Sequence, residues 1–149
     1  MAEIKRLTSL DRRNSVSVTF TGASGLGAAG TTTTFFTTTG EVLILYIVPF
    51  VVLTLTQSGA TPTLALGVTN ATGLFIAATT ATALATGEFW TESTGGGTAE
   101  AGIAVPAALK DILISSNIIG TVGGTLNIDG GTLRLDVYWR PLSSNGAIA

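Results

Sequence analysis

The chain has 149 residues with seven Lys and Arg against nine Asp and Glu, no His, no Cys and a net charge of −2. The missing His and Cys exclude Ser-His-Asp and Cys-His catalysis, thiolate chemistry, disulfides and Cys/His zinc sites. Only 11% of the residues are charged, against about 25% in an ordinary soluble domain, so the chain reads as one ordered, apolar domain and not as a disordered one.

Residues 1–14 form the only charge-dense stretch. Four of the seven cations, Lys5, Arg6, Arg12 and Arg13, lie in its first 13 residues beside Glu3 and Asp11, giving that segment +2 and the remainder −4. Ile4, Leu7 and Leu10 recur at spacing three, which would place them on one side of a short helix. The segment is expected to be an arm separate from a domain over residues 15–149. It is read either as a frayed terminus or as an arm that orders against a partner. Its cations have no apolar run behind them, so no signal peptide is expected.

After the arm the pattern is β. Ser15 to Thr21 alternates polar and apolar at period two, with Val16, Val18 and Phe20 on one face. GASGLGAAG is a glycine-rich loop, and Thr tracts flank Phe35 and Phe36. Glu41 to Thr56 is a long apolar strand, or two strands meeting at Pro49. Its run Val42 to Leu53 holds 12 residues, short of the roughly 20 needed to span a bilayer, and suits a strand better than a helix. Thr63 to Thr69 and Leu74 to Ala78 read as strands around a tight turn at Asn70 to Gly73. Thr79 to Thr86 is a helical turn or a loop, and Glu88 to Glu92 a short strand. Ile103 to Val105 and Asp111 to Ser115 are strands around a turn, and Ile118 to Ile128 is one strand or two. Asp129-Gly130-Gly131 carries a hairpin signal. Thr132 to Trp139 alternates strictly, with Leu133, Leu135, Val137 and Trp139 on one face and Arg134, Asp136 and Tyr138 on the other. Many short strands and no long helix predict an all-β chain: an antiparallel β-sandwich, jelly-roll-like, with an N-terminal extended arm.

Two motifs invite chemistry. GLGAAG at residues 25–30 fits the dinucleotide pattern G-x-G-x-x-G. That function, however, requires a helix behind the glycines and an acidic residue about 20 positions on. Here threonines and phenylalanines follow, and the later region is apolar, so a surface loop is expected. Glu88 and Glu92 flank Trp90 and on a strand would share its face, a carboxylate pair with an aromatic of the kind that meets sugars. A solvated strand face is the plainer reading. No metal-ligand spacing, cofactor motif or basic stripe outside the arm appears, so no catalytic residue, cofactor, metal, nucleic acid or membrane is expected.

Between Asn14 and Gly87 the only charged side chain is Glu41. A solitary monomer covers itself with charges. This stretch therefore predicts either a Thr, Ser and Gly surface or burial in an assembly. Phe35, Phe36, Val42, Ile44 and Tyr46 are expected in the domain core or a subunit interface.

The segments GEVLILYIV, TLALGVTNATGLFIAATTATALATGEFW and IDGGTLRLDVYWRPLSSNGAIA resemble small virion structural proteins of tailed bacteriophages, especially the head decoration, or cement, proteins. The likeness covers about residues 15–149 and is most specific from Gly131 to Gly146. It implies a β-sandwich homo-oligomer, a trimer foremost, bound to the major capsid protein on the outside of the shell. The location it implies is the virion surface, after synthesis in the host cytoplasm. In that setting Lys5, Arg6, Arg12 and Arg13 are the expected capsid contacts. The alternative from the same kind of particle is a tail-fibre or receptor-binding module whose Trp90 or Trp139 touches host glycans. A coat protein that packages genome would need a stronger basic arm.

Overall fold

The computed structural model describes residues 11–57, 59, 61–94 and 102–149, and they form an all-β, antiparallel sandwich. The strands are β1 (Arg12–Thr19), β2 (Thr32–Phe36), β3 (Thr38–Thr39), β4 (Val42–Thr56), β5 (Thr63–Val68), β6 (Ala71–Thr80), β7 (Lys110–Ile114), β8 (Ile118–Gly123), β9 (Gly130–Pro141) and β10 (Ala147–Ile148). Single 3₁₀ turns occur at Ala81–Ala83 and Ala107–Leu109. The first sheet has the order β1-β9-β4-β7 and the second β2-β8-β5-β6, with β10 and β3 as a small separate pair.

The pairing is nested. β5 pairs with β6, β4 with β7, β2 with β8 and β1 with β9, as if one long antiparallel ribbon had been folded over itself. Closing that ribbon creates the two remaining ladders of the large sheets, β4 with β9 and β5 with β8.

Period-two alternation explains how one core serves both sheets. Ile44, Ile47, Val51, Leu133, Leu135 and Val137 of the first sheet share a single buried cluster with Phe35, Leu64, Leu66, Phe75, Ile118 and Val122 of the second. Each such side chain is worth about 1.5–3 kcal/mol when fully buried.

β4 runs unbroken through Pro49, which a central strand tolerates only where its missing N–H is not needed. β7 pairs with β4 only as far as Tyr46, and beyond it residues 84–90 run along the vacated edge. There the Trp90 N–H donates to the Pro49 carbonyl at 3.1 Å, and the Val51 N–H donates to the Glu88 carbonyl at 2.8 Å. Pro49 thus presents its donorless nitrogen to an irregular segment instead of to the β9 ladder.

Several expectations are corrected. The sheet begins at Arg12, so Arg12, Arg13 and Asn14 belong to β1 and not to an arm. Asp129-Gly130-Gly131 makes no hairpin, because β8 and β9 lie in different sheets. The glycines instead start β9 beside the end of β4, where Gly131 adopts φ +99 and an added Cβ would sit 2.5 Å from the Thr54 carbonyl oxygen. Ile103 to Val105 is not a strand, and of Glu88 to Glu92 only Phe89 makes a bridge, to Phe50. The tight hairpin of the chain joins β5 to β6 through Thr69 and Asn70.

Candidate functional site

The charged residues of the described chain are not spread evenly. All of its cations, Arg12, Arg13, Lys110, Arg134 and Arg140, lie on strands of the first sheet. None of the four strands of the second sheet carries an ionisable side chain.

Register assembles the outward residues of the first sheet into rows. Arg13, Tyr138, Tyr46 and Lys110 are aligned across its four strands, followed by Ser15, Asp136 and Val48, then Ser17, Arg134 and Phe50. Tyr46 stacks on Tyr138 with ring centroids 4.3 Å apart, and the Arg13 guanidinium lies 5.8 Å from the Tyr138 ring. Two rows further, Arg134 lies 4.9 Å from the Phe50 ring, and Phe50 meets Phe89 edge-on at 5.2 Å. Such cation–aromatic contacts attract each guanidinium to the ring beside it.

Asp136 ties the two rows together. Arg13 Nη2 donates to its Oδ1 at 2.5 Å and Arg134 Nε to its Oδ2 at 3.0 Å. Burial pushes the Asp136 carboxyl up, but hydrogen bonds from Ser15 and Arg13 and the charges of Arg13 and Arg134 outweigh it, leaving the group below its ordinary value. The same hydrogen bond and charge hold the Arg13 guanidinium above its own. One carboxylate serves two cations, so the cluster keeps a net positive charge. A third pair, Arg140 Nη2 to Asp11 Oδ1 at 2.6 Å, fixes the point where the described chain enters β1.

Beside Arg140 the sheet ends in a pocket of about 250 Å³ lined by Glu41, Leu113, Ile114, Ser115 and Leu142. It is built from strand ends: the start of β4, the end of β7 and the residues leaving β9. The Leu142 N–H donates to the Glu41 carbonyl at 2.9 Å, and the Glu41 N–H donates to Ser143 Oγ at 2.8 Å. Leu113 and Leu142 are 69% and 51% exposed at its rim.

The predicted site residues separate accordingly. Lys5 and Arg6 lie outside the described residues. Arg13 is in the cluster, whereas Arg12 sits at the rim of the core, 5.7 Å from the Trp139 ring. Phe35, Phe36, Val42 and Ile44 are buried in the core of this one chain, and Tyr46 is on the outer face, outside that core. The two tryptophans proposed for glycans are corrected by their burial: Trp90 is 0% and Trp139 3% exposed. Trp90 Nε1 donates to Thr79 Oγ1 at 2.9 Å and Trp139 Nε1 to Asn14 Oδ1 at 2.8 Å, so neither ring has a face left for a sugar. Glu88 turns back to accept the Ala85 N–H at 3.1 Å and forms no carboxylate pair with Glu92 across Trp90. GLGAAG is followed by β2 and not by a helix. Among the described residues no group of three or more Asp and Glu is placed to hold a metal ion.

Sequence reasoning put Arg134, Asp136 and Tyr138 on a common face but assigned that face no role. Phe50 and Arg140 were not singled out. The usable signal was a strictly alternating strand whose outward positions are basic, acidic and aromatic in turn. Compared with known protein families, with curated proteins and with solved structures, the chain matches none.

Proposed function

We propose that this chain is a structural protein of a bacteriophage particle that binds the outer surface of the capsid shell as an oligomer and stabilises it. The observation that carries the reading is the segregation of charge: one sheet holds every cation of the described residues and the other holds no ionisable group. On this reading the outer face of the first sheet, with Arg13 and Arg134 at its centre and Lys5 and Arg6 upstream, meets acidic groups of the major capsid protein. The nested strand pairing fits the double Greek key of a jelly roll, a common virion architecture. The second sheet is the surface between copies, a trimer foremost. Symmetric copies bring like surfaces together, and a face without charges meets itself without repulsion. Many weak, repeated contacts then clamp the shell, because the chain binds assembled coat and not free subunits.

The test is co-sedimentation of the purified chain with undecorated phage heads, followed by the temperature at which the heads open. The wild-type chain is expected to pellet with heads and raise that temperature. Arg13→Glu, and a chain lacking residues 1–10 but keeping all of β1, are expected to stay folded and remain in the supernatant. A wild-type chain that ignores heads overturns the proposal.

A further inference from the structure

The outer face of the first sheet carries two neighbouring columns of different chemistry. Register places Arg140 beside Leu43, Tyr138 beside Tyr46, Asp136 beside Val48, Arg134 beside Phe50 and Thr132 beside Leu53. The β9 column is polar and charged. The β4 column, Leu43, Tyr46, Val48, Phe50 and Leu53, holds no charge at all. Irregularities between Ile44 and Tyr46 and between Val51 and Leu53 keep this stripe in step with its β9 partners. Among the described residues it is left open: Tyr46 is 37% and Leu53 55% exposed.

An exposed apolar stripe along a central strand marks a contact surface, and the charges beside it say what it meets. Arg13, Arg134 and Arg140 all stand on the β1 and β9 side. Lys110 lies on the β7 side at Tyr46, but beyond Tyr46 that flank is residues 84–90, whose single ionisable group, Glu88, turns back onto Ala85. The face of a sheet, unlike its edge, offers no backbone N–H or C=O, so whatever covers it must satisfy its own backbone. An α-helix does so. At about 10 Å across it covers β4 and β9, which run about 4.8 Å apart, and about 20 residues follow the stripe from end to end.

We infer that the outer face of the first sheet receives an amphipathic α-helix of a partner protein, with apolar side chains on the β4 stripe and Asp or Glu along the border over Arg13 and Arg134. Each of these arginines donates one N–H to Asp136 and, being largely exposed, keeps others for a second carboxylate. For the owner of the helix the inference rests on the reading above, in which the major capsid protein meets this face.

The test uses the full chain and undecorated phage heads. Val48→Thr combined with Leu53→Thr removes apolar contact while keeping charge and strand preference, and circular dichroism checks that the variant folds. It is expected to bind heads about tenfold more weakly than wild type. Leu26→Thr, an equally uncharged change at an exposed residue of the glycine-rich loop, is expected to bind as wild type does. A photoreactive p-benzoylphenylalanine in place of Tyr46 is expected to attach to a helical segment of the coat protein with Asp or Glu three or four residues from the point of attachment. Unweakened binding by the double variant, attachment to a coat strand or loop, or attachment to a second copy of this chain would each overturn the inference while leaving the coat reading intact. A wild-type chain that ignores heads overturns the coat reading and takes the inference with it.

Discussion

The two sheets of this sandwich are built alike inward and differently outward. Both turn alternate Leu, Ile, Val and Phe side chains into one core. Facing out, the first presents Arg13, Asp136, Arg134, Tyr138, Tyr46 and Phe50, whereas the second presents Thr32, Thr34, Thr121 and the small residues of β6. The inward positions specify that a sandwich forms; the outward ones, alternating with them along the same strands, specify what it can meet. In β9 a single step from Leu135 to Asp136 passes from one role to the other.

The difference can be probed from the shared core outward. Trp90 fills space against Thr79 of the second sheet and also anchors residues 84–90 along β4 of the first. Trp90→Ala is expected to cost about 3–5 kcal/mol, the largest single loss, read as a fall in the denaturant midpoint. Because both sheets lose a support, fluorescence and circular dichroism should report one coincident transition.

Asp136→Asn acts on the first sheet alone. It removes the carboxylate shared by Arg13 and Arg134, both largely exposed, so the expected loss is about 1 kcal/mol at neutral pH. The pH dependence sharpens this. The folded-state carboxyl is held below its ordinary value, so its contribution is present above the unfolded pKa of about 4 and disappears as the pH falls through the lower folded value. Melting temperatures followed from pH 6 to pH 2 should therefore decline more steeply for the wild-type chain than for Asp136→Asn, the two curves converging in acid.

Thr34→Lys places a charge on the second sheet, where none exists. Thr34 is exposed, so stability is expected to stay within about 0.5 kcal/mol of wild type. Light scattering should nevertheless report a smaller particle than for the wild-type chain. An unchanged mass would remove the second sheet from the proposed contact between copies.

Much of this architecture was legible from residue order. β9 is readable because its alternation is strict, and the β5–β6 hairpin because polar turn residues separate two apolar runs. Asp129-Gly130-Gly131 misled because the backbone freedom that makes a hairpin turn also permits the close approach of Gly131 to β4. Charge density draws Arg13 into the arm, because residues 12–15 are all polar and carry no period-two signal; only pairing with the distant β9 places them in β1. Trp90 misled for a different reason. An aromatic between two acids reads as exposed, and only the notch left by β7 along β4, which no local pattern encodes, draws it into the core. The cation–aromatic rows depend on register between strands far apart in sequence, so the alternation supplied their members but not their neighbours.

The nested pairing also dictates an order of assembly. Ala71 meets Val68 almost at once, whereas Arg12 must wait for Trp139. Closing such distant ends is entropically slow, and folds dominated by it take milliseconds to seconds. On the ribosome, the second sheet's hairpin can form while the centre of the first sheet is still unmade. Arg13 and Arg134 are brought together only after β9 has emerged. The cationic face is therefore the last surface to exist, and a nascent chain cut short before Gly130 cannot display it.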